Sequence, residues 1–408
     1  MSDPFVLGVN YWPRRKAMYW WSNFDAGEVR DEFALIHELG LSVVRIFLLW
    51  EDFQPAPDTV ETGRLDDLRT VADIAAEQNL GLDVTFFTGH MSGPNWSPGW
   101  LLDSRLPTPT DQPRQVVSGG QIVAGGYRNM YTDASARFAA RTLLRSVVGA
   151  LRDHPAIWLW NLGNEPDLFA LPPDAAAGRA WVREMAGLIR DIDPGHPVTC
   201  GLHSASLHAD CGFRIDQVYA ETDWAVMHAY PMYVGWARQP LDPALVPFTC
   251  ALTSALCGKP TLMEEFGGCT NGPGQPSATW EWETDAGPRK QFMASEEEFA
   301  AYIAAVLPGL VEVGATGAMI WCFADYAPEL WDRPPCADFH HERFFGLVRP
   351  DGTFKPHAWV LRDFARARPA INPDPPRRVH LDITPDEYYA APIEHLVRLY
   401  AKFLEGES

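Results

Sequence analysis

The sequence is short of basic residues: 33 Lys and Arg stand against 53 Asp and Glu, which gives a net charge of −20. A surface of that sign repels phosphate backbones and anionic membranes, so nucleic acid is not an expected partner. No apolar run is long enough to cross a bilayer, so a membrane is not expected either. The first residues lack a basic segment followed by an apolar one. This predicts a cytoplasmic protein, although a secreted form trimmed of its signal would look the same.

Patterns that bind metals or nucleotides are also missing. The seven cysteines are odd in number and scattered, with no C-x-x-C pair, which favours reduced thiols that serve as small core residues. No G-x-G-x-x-G follows the first predicted strand. Neighbouring His340 and His341, together with His357, suggest a cluster, but adjacent loop side chains point apart, so we expect exposed loop histidines. The sequence predicts neither a metal nor a cofactor.

Tryptophan, in contrast, is abundant: the chain has 16, and many fall in stretches that read as loops. Indole rings stack on the C–H-rich faces of sugars, although aromatic residues at a protein interface would look similar. Loop tryptophans therefore suggest a carbohydrate ligand. The candidate subsite aromatics are Trp12, Trp96, Trp282 and Trp331.

Apolar strand patterns alternate with helical patterns along most of the chain. Eight strand–helix units can be counted, and this alternation is typical of parallel strands joined by crossover helices. Eight units favour a closed α/β barrel, the (β/α)₈ or TIM barrel, over an open doubly wound sheet. We predict a single catalytic domain over residues 1–368.

Residues 369–408 look like a helical extension after a proline-rich linker. Thr384 and Glu387 form a capping-box signature, and an apolar helical stripe follows it. We expect this extension to pack on the barrel or on a second subunit of a homo-oligomer. The predicted stripe consists of Ile393, Leu396, Val397, Tyr400 and Leu404.

Two strand ends each carry a carboxyl group. Glu165 follows the apolar strand 157–162, and Glu265 follows the strand 261–263. Active sites of (β/α)₈ barrels lie at the carboxyl ends of the strands, so polar residues there are the candidates. Because side chains alternate along a strand, we expect only one of Glu264 and Glu265 to face the interior. The candidates on this rim are Arg45, His90, Asn164, Glu165, His228, Tyr230, Glu265 and Trp321.

Asn164-Glu165-Pro166 and Glu265-Phe266-Gly267 resemble the catalytic motifs of glycoside hydrolase family 5 of clan A. The resemblance implies that Glu165 is the general acid/base and Glu265 the nucleophile, with Asn164 binding the 2-hydroxyl of the substrate. It implies that Arg45 and Tyr230 hold the nucleophile ionised, and that His90, His228 and Trp321 line the cleavage site. A cis peptide bond between Trp321 and Cys322 is also expected from it.

Within this family, three segments resemble a subgroup that includes intracellular bacterial β-mannosidases. We therefore predict a retaining, exo-acting β-mannosidase that cleaves short oligosaccharides by double displacement. An endo-β-mannanase, a β-glucanase or a β-glucosidase of the same family is the alternative, and an inactive sugar-binding barrel is a more distant one. The three segments are Asn10-Tyr11-Trp12-Pro13, Trp50-Glu51-Asp52-Phe53-Gln54-Pro55 and Gly89-His90-Met91-Ser92-Gly93.

Overall fold

A computed structural model describes residues 3–284 and 287–406. Eight parallel strands form its centre: β1 (Val6–Asn10), β2 (Val43–Leu49), β3 (Gly81–Thr88), β4 (Ile157–Asn164), β5 (Val198–Gly201), β6 (Ala225–Ala229), β7 (Thr261–Gly267) and β8 (Gly317–Trp321). Their order around the barrel is β5-β4-β3-β2-β1-β8-β7-β6. The first and last strands of this order, β5 and β6, are joined by hydrogen bonds that close the barrel. The His228 amide donates to the Leu202 carbonyl (3.0 Å), and the Ser204 amide donates to the His228 carbonyl (3.0 Å). The predicted (β/α)₈ barrel is confirmed.

Helices surround the strands and begin where the sequence supplies caps. Asp25, Asp133, Asp174 and Ser295 each accept a hydrogen bond from a backbone amide in the first helical turn, which satisfies donors that the helix itself cannot. Between β5 and β6 there are only short helices, which the sequence did not reveal. The outer helices are α1 (Ala26–Glu38), α2 (Thr62–Glu77), α3 (Ala134–Leu151), α4 (Ala175–Ile192), α5 (Ile215–Tyr219), α6 (Leu245–Cys257), α7 (Glu296–Glu312) and α8 (Pro356–Arg366).

Loops at the carboxyl ends of the strands carry additional structure. The segment after β3 forms short strands, and the segment after β7 forms a hairpin of two strands, Ala278–Thr284 and Gly287–Met293. Single helical turns follow other strands. No helix among residues 3–284 and 287–406 combines the length and apolarity needed for a membrane span. The short elements are Asn95–Trp96, Leu102–Asp103, Val116–Ser118, Gln121–Val123 and Gly126–Tyr127 as strands, and Ala17–Tyr19, Trp50–Phe53, Pro166–Phe169, Ala205–His208, Pro231–Tyr233, Pro328–Leu330 and His340–Phe344 as helical turns.

Strand β7 contains a β-bulge at the position of the two neighbouring glutamates. Met227 of β6 lies beside Met263, but the next residue, His228, lies beside Glu265. One extra residue is thus inserted in β7, and a bulge of this kind interrupts the alternation of side chains. Glu264 and Glu265 both face the barrel interior, so the expectation that only one would do so was wrong.

The C-terminal extension forms two helices, α9 (Pro385–Ala390) and α10 (Pro392–Glu405), that pack on the barrel near the short helix Ala205–His208. The hydroxyls of Tyr388 and Tyr389 donate to backbone carbonyls of that helix, each at 2.8 Å. The predicted stripe was partly wrong, because Ile393, Val397 and Leu404 are exposed. The domain boundary after residue 368 stays a prediction, and its outer limits, residues 1, 2, 407 and 408, lie outside the described part. The side chains of α10 that are buried are Leu396, Leu399, Tyr400 and Phe403.

Candidate active site

A cavity of about 650 Å³ opens at the carboxyl ends of the barrel strands. Its lining includes seven of the eight predicted rim residues. The eighth, Arg45, lies beneath the cavity with a side chain that is fully buried. The strands therefore bring the predicted residues together in one place. The seven lining residues are His90, Asn164, Glu165, His228, Tyr230, Glu265 and Trp321.

Arg45 contacts several polar side chains beneath the cavity. Its Nη1 donates to Glu265 Oε1 (2.6 Å), and its Nη2 lies 3.3 Å from Glu264 Oε2. Its Nε donates to the Thr85 hydroxyl (2.8 Å) and its Nη2 also to the Asn164 side-chain oxygen (3.1 Å). Burial lowers the pKa of Arg45, but the charges of Glu264 and Glu265 outweigh burial and raise it. The guanidinium therefore stays charged and its fork orients both carboxylates.

Glu265 receives a second donor from Tyr230, whose hydroxyl lies 2.8 Å from Oε2. Burial raises the pKa of Glu265 and the charge of Glu165 adds to the rise, while His228 and Arg45 oppose it. Burial and the nearby Glu265 raise the pKa of Tyr230, which keeps its hydroxyl protonated as a donor. Both oxygens of Glu265 are thus fixed by hydrogen bonds.

His228 lies between the carboxyl groups. Its Nδ1 is 3.1 Å from Glu165 Oε1 and 3.6 Å from Glu265 Oε1, and its Nε2 is 2.9 Å from Glu264 Oε2. Burial lowers the pKa of His228, but these three glutamates outweigh burial and raise it to about 9. The imidazole therefore carries a proton at neutral pH.

Glu165 occupies an unusual backbone position at the end of β4. Its φ of 46° lies in the left-handed region, which costs a non-glycine residue about 1–3 kcal/mol and is concentrated at functional sites. The conformation turns the chain directly into Pro166 and the short helix Pro166–Phe169. Burial raises the pKa of Glu165, but the positive charges of His203 and His228 outweigh burial and lower it.

His203 and Asp167 were missed by the sequence reasoning. The His203 Nε2 lies 2.9 Å from Asp167 Oδ2, and its Nδ1 lies 3.8 Å from Glu165 Oε1. Burial lowers the pKa of His203, but Asp167 and Glu165 outweigh it and raise the pKa. His203 lies two residues after the end of β5 (Val198–Gly201), so the strand-end rule that was applied to the other strands would have found it.

The catalytic candidates are close enough to act on one atom. One oxygen each of Glu165 and Glu265 and a nitrogen of His228 all lie within 4.8 Å of one another. Three such atoms could ligate a cation. Both oxygens of Glu265, however, already accept hydrogen bonds from Arg45 and Tyr230, which suits a carboxylate held for reaction better than one that binds a metal.

The remaining predicted residues form the floor and sides of the cavity. Asn164 donates from Nδ2 to the His90 carbonyl (3.1 Å). Burial and the nearby Arg114 lower the pKa of His90 to about 4, so this imidazole is neutral. Trp321 lies on the floor, edge-on to Phe47, and the peptide bond that follows it is cis, as expected from the resemblance.

Of the four candidate subsite tryptophans, Trp282 lines the cavity. Trp12 and Trp96 are almost fully buried, so they cannot present a ring face to a sugar. Trp331 packs edge-on to Phe344 and does not line the cavity. The expectation for Trp12 and Trp96 was therefore wrong: Trp12 instead stacks on Phe47 beneath the site.

The expectation of exposed loop histidines was wrong for two of the three. His341 is buried and lines the cavity, where its Nε2 lies 3.4 Å from Glu342 Oε1. His357 is fully buried and packs edge-on against Phe299. His340 remains partly exposed and stacks on Trp282.

Comparisons with known proteins agree with this geometry. Residues 141–325 match the family described as GH family 5 beta-mannosidase-like. Among curated proteins, mannan endo-1,4-beta-mannosidase A of Hypocrea jecorina is 24% identical over 62% of this chain and 60% of its own length. Mannan endo-1,4-beta-mannosidase F of Aspergillus clavatus is 26% identical over 35% of each chain. The chain thus matches less than two thirds of the length of these relatives.

Solved structures show the same barrel. A GH5_18 protein from Streptomyces cattleya, solved with Manβ1-4GlcNAc, has a TM-score of 0.77 at 20% identity, covering 99% of this chain and 92% of its own. An exo-beta-1,4-mannosidase from Opitutaceae bacterium strain TAV5 has a TM-score of 0.71 at 25% identity, covering 90% of this chain and 60% of its own. Residues 141–325 thus resemble the GH family 5 beta-mannosidase-like family, and the whole barrel has the fold of the GH5_18 structures.

Proposed function

We propose that the protein is a retaining β-glycosidase in which Glu265 is the nucleophile and Glu165 the general acid/base. The observation that carries the proposal is the pair of carboxylate oxygens within 4.8 Å. Retaining glycosidases place their carboxyl groups about 5–5.5 Å apart, whereas inverting enzymes need about 6.5–9.5 Å to admit a water molecule. The spacing therefore favours two successive displacements on one anomeric carbon.

In the first displacement, an oxygen of Glu265 bonds to the anomeric carbon while Glu165 gives its proton to the departing glycosidic oxygen. The leaving sugar departs as an alcohol, and the other sugar remains as an ester of Glu265. In the second displacement, Glu165 removes a proton from water, and the resulting hydroxide oxygen replaces Glu265 at the same carbon. The products are two free sugars, and both carboxyl groups return to their starting state.

The proton needed for the first step is supplied within the cluster. Burial favours the proton on Glu265, whereas the histidines favour ionised Glu165. The reaction needs the opposite arrangement. His228 Nδ1 faces both carboxylates, at 3.1 Å and 3.6 Å, so the charged ring can give its Nδ1 proton to Glu165 and then take one from Glu265. Close acidic groups of this kind titrate as one unit rather than separately.

We propose further that the sugar is a terminal β-mannosyl residue of a short oligosaccharide. The β-mannosidase-like family match supports mannose, and the exo-acting relative supports cleavage from the chain end. The hairpin 278–293 and the loop after β3 border the cavity, which suits a pocket for one terminal sugar. The curated relatives favour the second candidate, an endo-β-mannanase, because both are named as endo-acting. A cytoplasmic location and a homo-oligomeric assembly stay predictions from the sequence.

A substrate panel tests both levels of the proposal. Aryl β-mannoside should be cleaved much faster than aryl β-glucoside, and NMR of the first product should show the β-anomer. On a linear mannan, an exo enzyme releases mannose from the first minutes, whereas an endo enzyme releases longer fragments. Glu265→Gln is the control for background activity. An α-anomeric first product would contradict the retaining mechanism, and a preference for glucoside would contradict the sugar.

A further inference from the structure

Two arginines line the cavity with their hydrogen-bonding capacity unused. Arg114 lies in the loop after β3, and Arg289 lies on the second strand of the hairpin. Within residues 3–284 and 287–406, neither side chain forms an ion pair or donates to a protein acceptor, and the Nε of each is shielded from water without a partner. A buried N–H without an acceptor is costly. The donors are therefore available to a ligand.

The register of the hairpin turns Arg289 towards the cavity. Arg289 lies directly opposite Trp282, and residues paired across two antiparallel strands share a face. Both residues line the cavity. The Arg289 guanidinium lies over the Phe339 ring, 4.2 Å from its centroid. This stacking holds the group in place but uses none of its N–H donors.

The two arginines lie at the outer part of the cavity. Arg114 and Arg289 are partly exposed, whereas Glu265, Asn164 and Trp321 are buried at its base. If a terminal sugar occupies the base, as in the proposed exo reaction, the sugar that leaves must extend past the arginines. The inference therefore rests on the proposed function.

The local charge at this edge is opposite to that of the protein as a whole, which has a net charge of −20. The described residues that line the cavity include one carboxylate besides Glu165 and Glu265, namely Glu342, and that carboxylate already lies beside His341. Asp338 lies nearby but accepts a hydrogen bond from Gln115 (2.7 Å). Little within the described protein neutralises the two guanidinium groups.

We propose that this edge is a subsite for a leaving group that carries an anion, either the carboxylate of a uronic acid or a phosphate ester. A guanidinium presents parallel N–H donors that match two oxygens of a carboxylate or phosphate. The favoured substrate is then a terminal β-mannosyl residue linked to an acidic sugar. Neutral disaccharides bind the same base of the cavity but lack this contact.

Three disaccharides that differ only at C6 of the leaving sugar test the proposal: β-mannosyl-(1→4)-glucose, β-mannosyl-(1→4)-glucuronic acid and β-mannosyl-(1→4)-glucose 6-phosphate. The wild-type protein should cleave at least one acidic substrate with a kcat/KM about tenfold above that of the neutral one. The acidic substrate with the larger ratio identifies the anion. The advantage should shrink as salt is raised, because the arginines are partly exposed.

Arg289→Gln and Arg114→Gln should each lower the acidic-to-neutral ratio by about threefold, because the two guanidinium groups share the tenfold advantage. Arg105→Gln is the control: it also removes one positive charge from the loop after β3, but Arg105 is exposed, pairs with Asp103 (2.7 Å) and does not line the cavity. The ratio should not change in this variant. An equal loss in Arg105→Gln, or equal cleavage of all three disaccharides by the wild type, would overturn the inference. Failure to cleave any of them would overturn the proposed function as well.

Discussion

Replacing Glu264 by Gln tests the charge network beneath the cavity. Glu264 is fully buried and contacts three partners: Arg45 (3.3 Å), His228 (2.9 Å) and the Asn161 side-chain amide (3.0 Å). The amide keeps the shape but removes the negative charge, which leaves two buried cations with one counterion fewer. Breaking a buried ion pair on one side costs about 3–5 kcal/mol. For a chain of this size, a loss of about 3 kcal/mol lowers Tm by roughly 3–4 °C.

The same substitution should change the pH dependence of activity. Glu264 is one of the groups that raise the pKa of His228 to about 9. Without that charge the pKa of His228 falls, and the alkaline limb of kcat/KM should move to lower pH by about one unit. Glu32→Gln is the control, because Glu32 is also buried but pairs with Tyr11 (2.8 Å) away from the cavity. Thermal unfolding and pH–rate profiles measure both effects. Wild-type Tm together with a wild-type profile in Glu264→Gln would refute the network and the inward orientation that the bulge gives to Glu264.

Other predictions follow from the same contacts. Glu165→Gln should slow hydrolysis of a disaccharide by about 10³-fold, but it should hardly slow the first step with a dinitrophenyl β-mannoside, whose leaving group needs no proton. Glu265→Gln should abolish the reaction of both substrates. Equal losses on the two substrates in Glu165→Gln would contradict the assignment of Glu165 as the acid. His228 is raised to a pKa of about 9 in the folded state, against about 6.5 when unfolded, so its contribution to stability is complete below pH 6.5 and disappears as pH rises through 9. Urea denaturation at pH 6 and at pH 9.5 measures this loss, and His228→Gln should flatten it; an unchanged slope would argue against a charged His228. Tyr389→Phe removes a hydroxyl that donates to the Ser206 carbonyl (2.8 Å) and accepts from the Ile215 amide (2.9 Å), which should cost about 1–2 kcal/mol and raise KM by loosening the adjacent cavity wall; an unchanged Tm would contradict it.

Strand ends were the most informative feature of the sequence. An apolar run followed by a polar residue located seven of the residues that line the cavity, because parallel strands bring their carboxyl ends to one edge of a barrel. Arg45 also lies within an apolar strand, and because an isolated buried charge is too costly, its position indicates a buried carboxylate partner. Both inferences depend only on local pattern and barrel geometry.

Register and packing partners could not be predicted in the same way. Nothing in the pair Glu264-Glu265 indicates a bulge, because its position depends on hydrogen bonds to β6 and β8. The side of α10 that packs on the barrel depends on the helices it meets, which is why Leu399 and Phe403 are buried while Val397 is exposed. Composition alone could not separate tryptophans of the core from those of the cavity.

The sequence contains a pattern that predicts the first strand of the hairpin. Trp280 and Trp282 alternate with Glu281 and Glu283, a period-two pattern that is typical of a half-buried strand. Trp282 is counted above among the loop tryptophans, without a predicted strand in this stretch. An alternation count would have predicted the strand and, with it, the face that Trp282 and Arg289 share.

The way in which the hairpin 278–293 is attached makes it a natural target for engineering. Its base is fastened by backbone hydrogen bonds, from the Asn271 amide to the Ala294 carbonyl (2.7 Å) and from the Ala294 amide to the Cys269 carbonyl (3.0 Å). Backbone contacts do not depend on which side chains follow. A library that randomises the inward positions of this hairpin would change the acceptor specificity of the enzyme while the reacting groups on β4 and β7 stay untouched, so new linkage preferences could be selected without rebuilding the barrel.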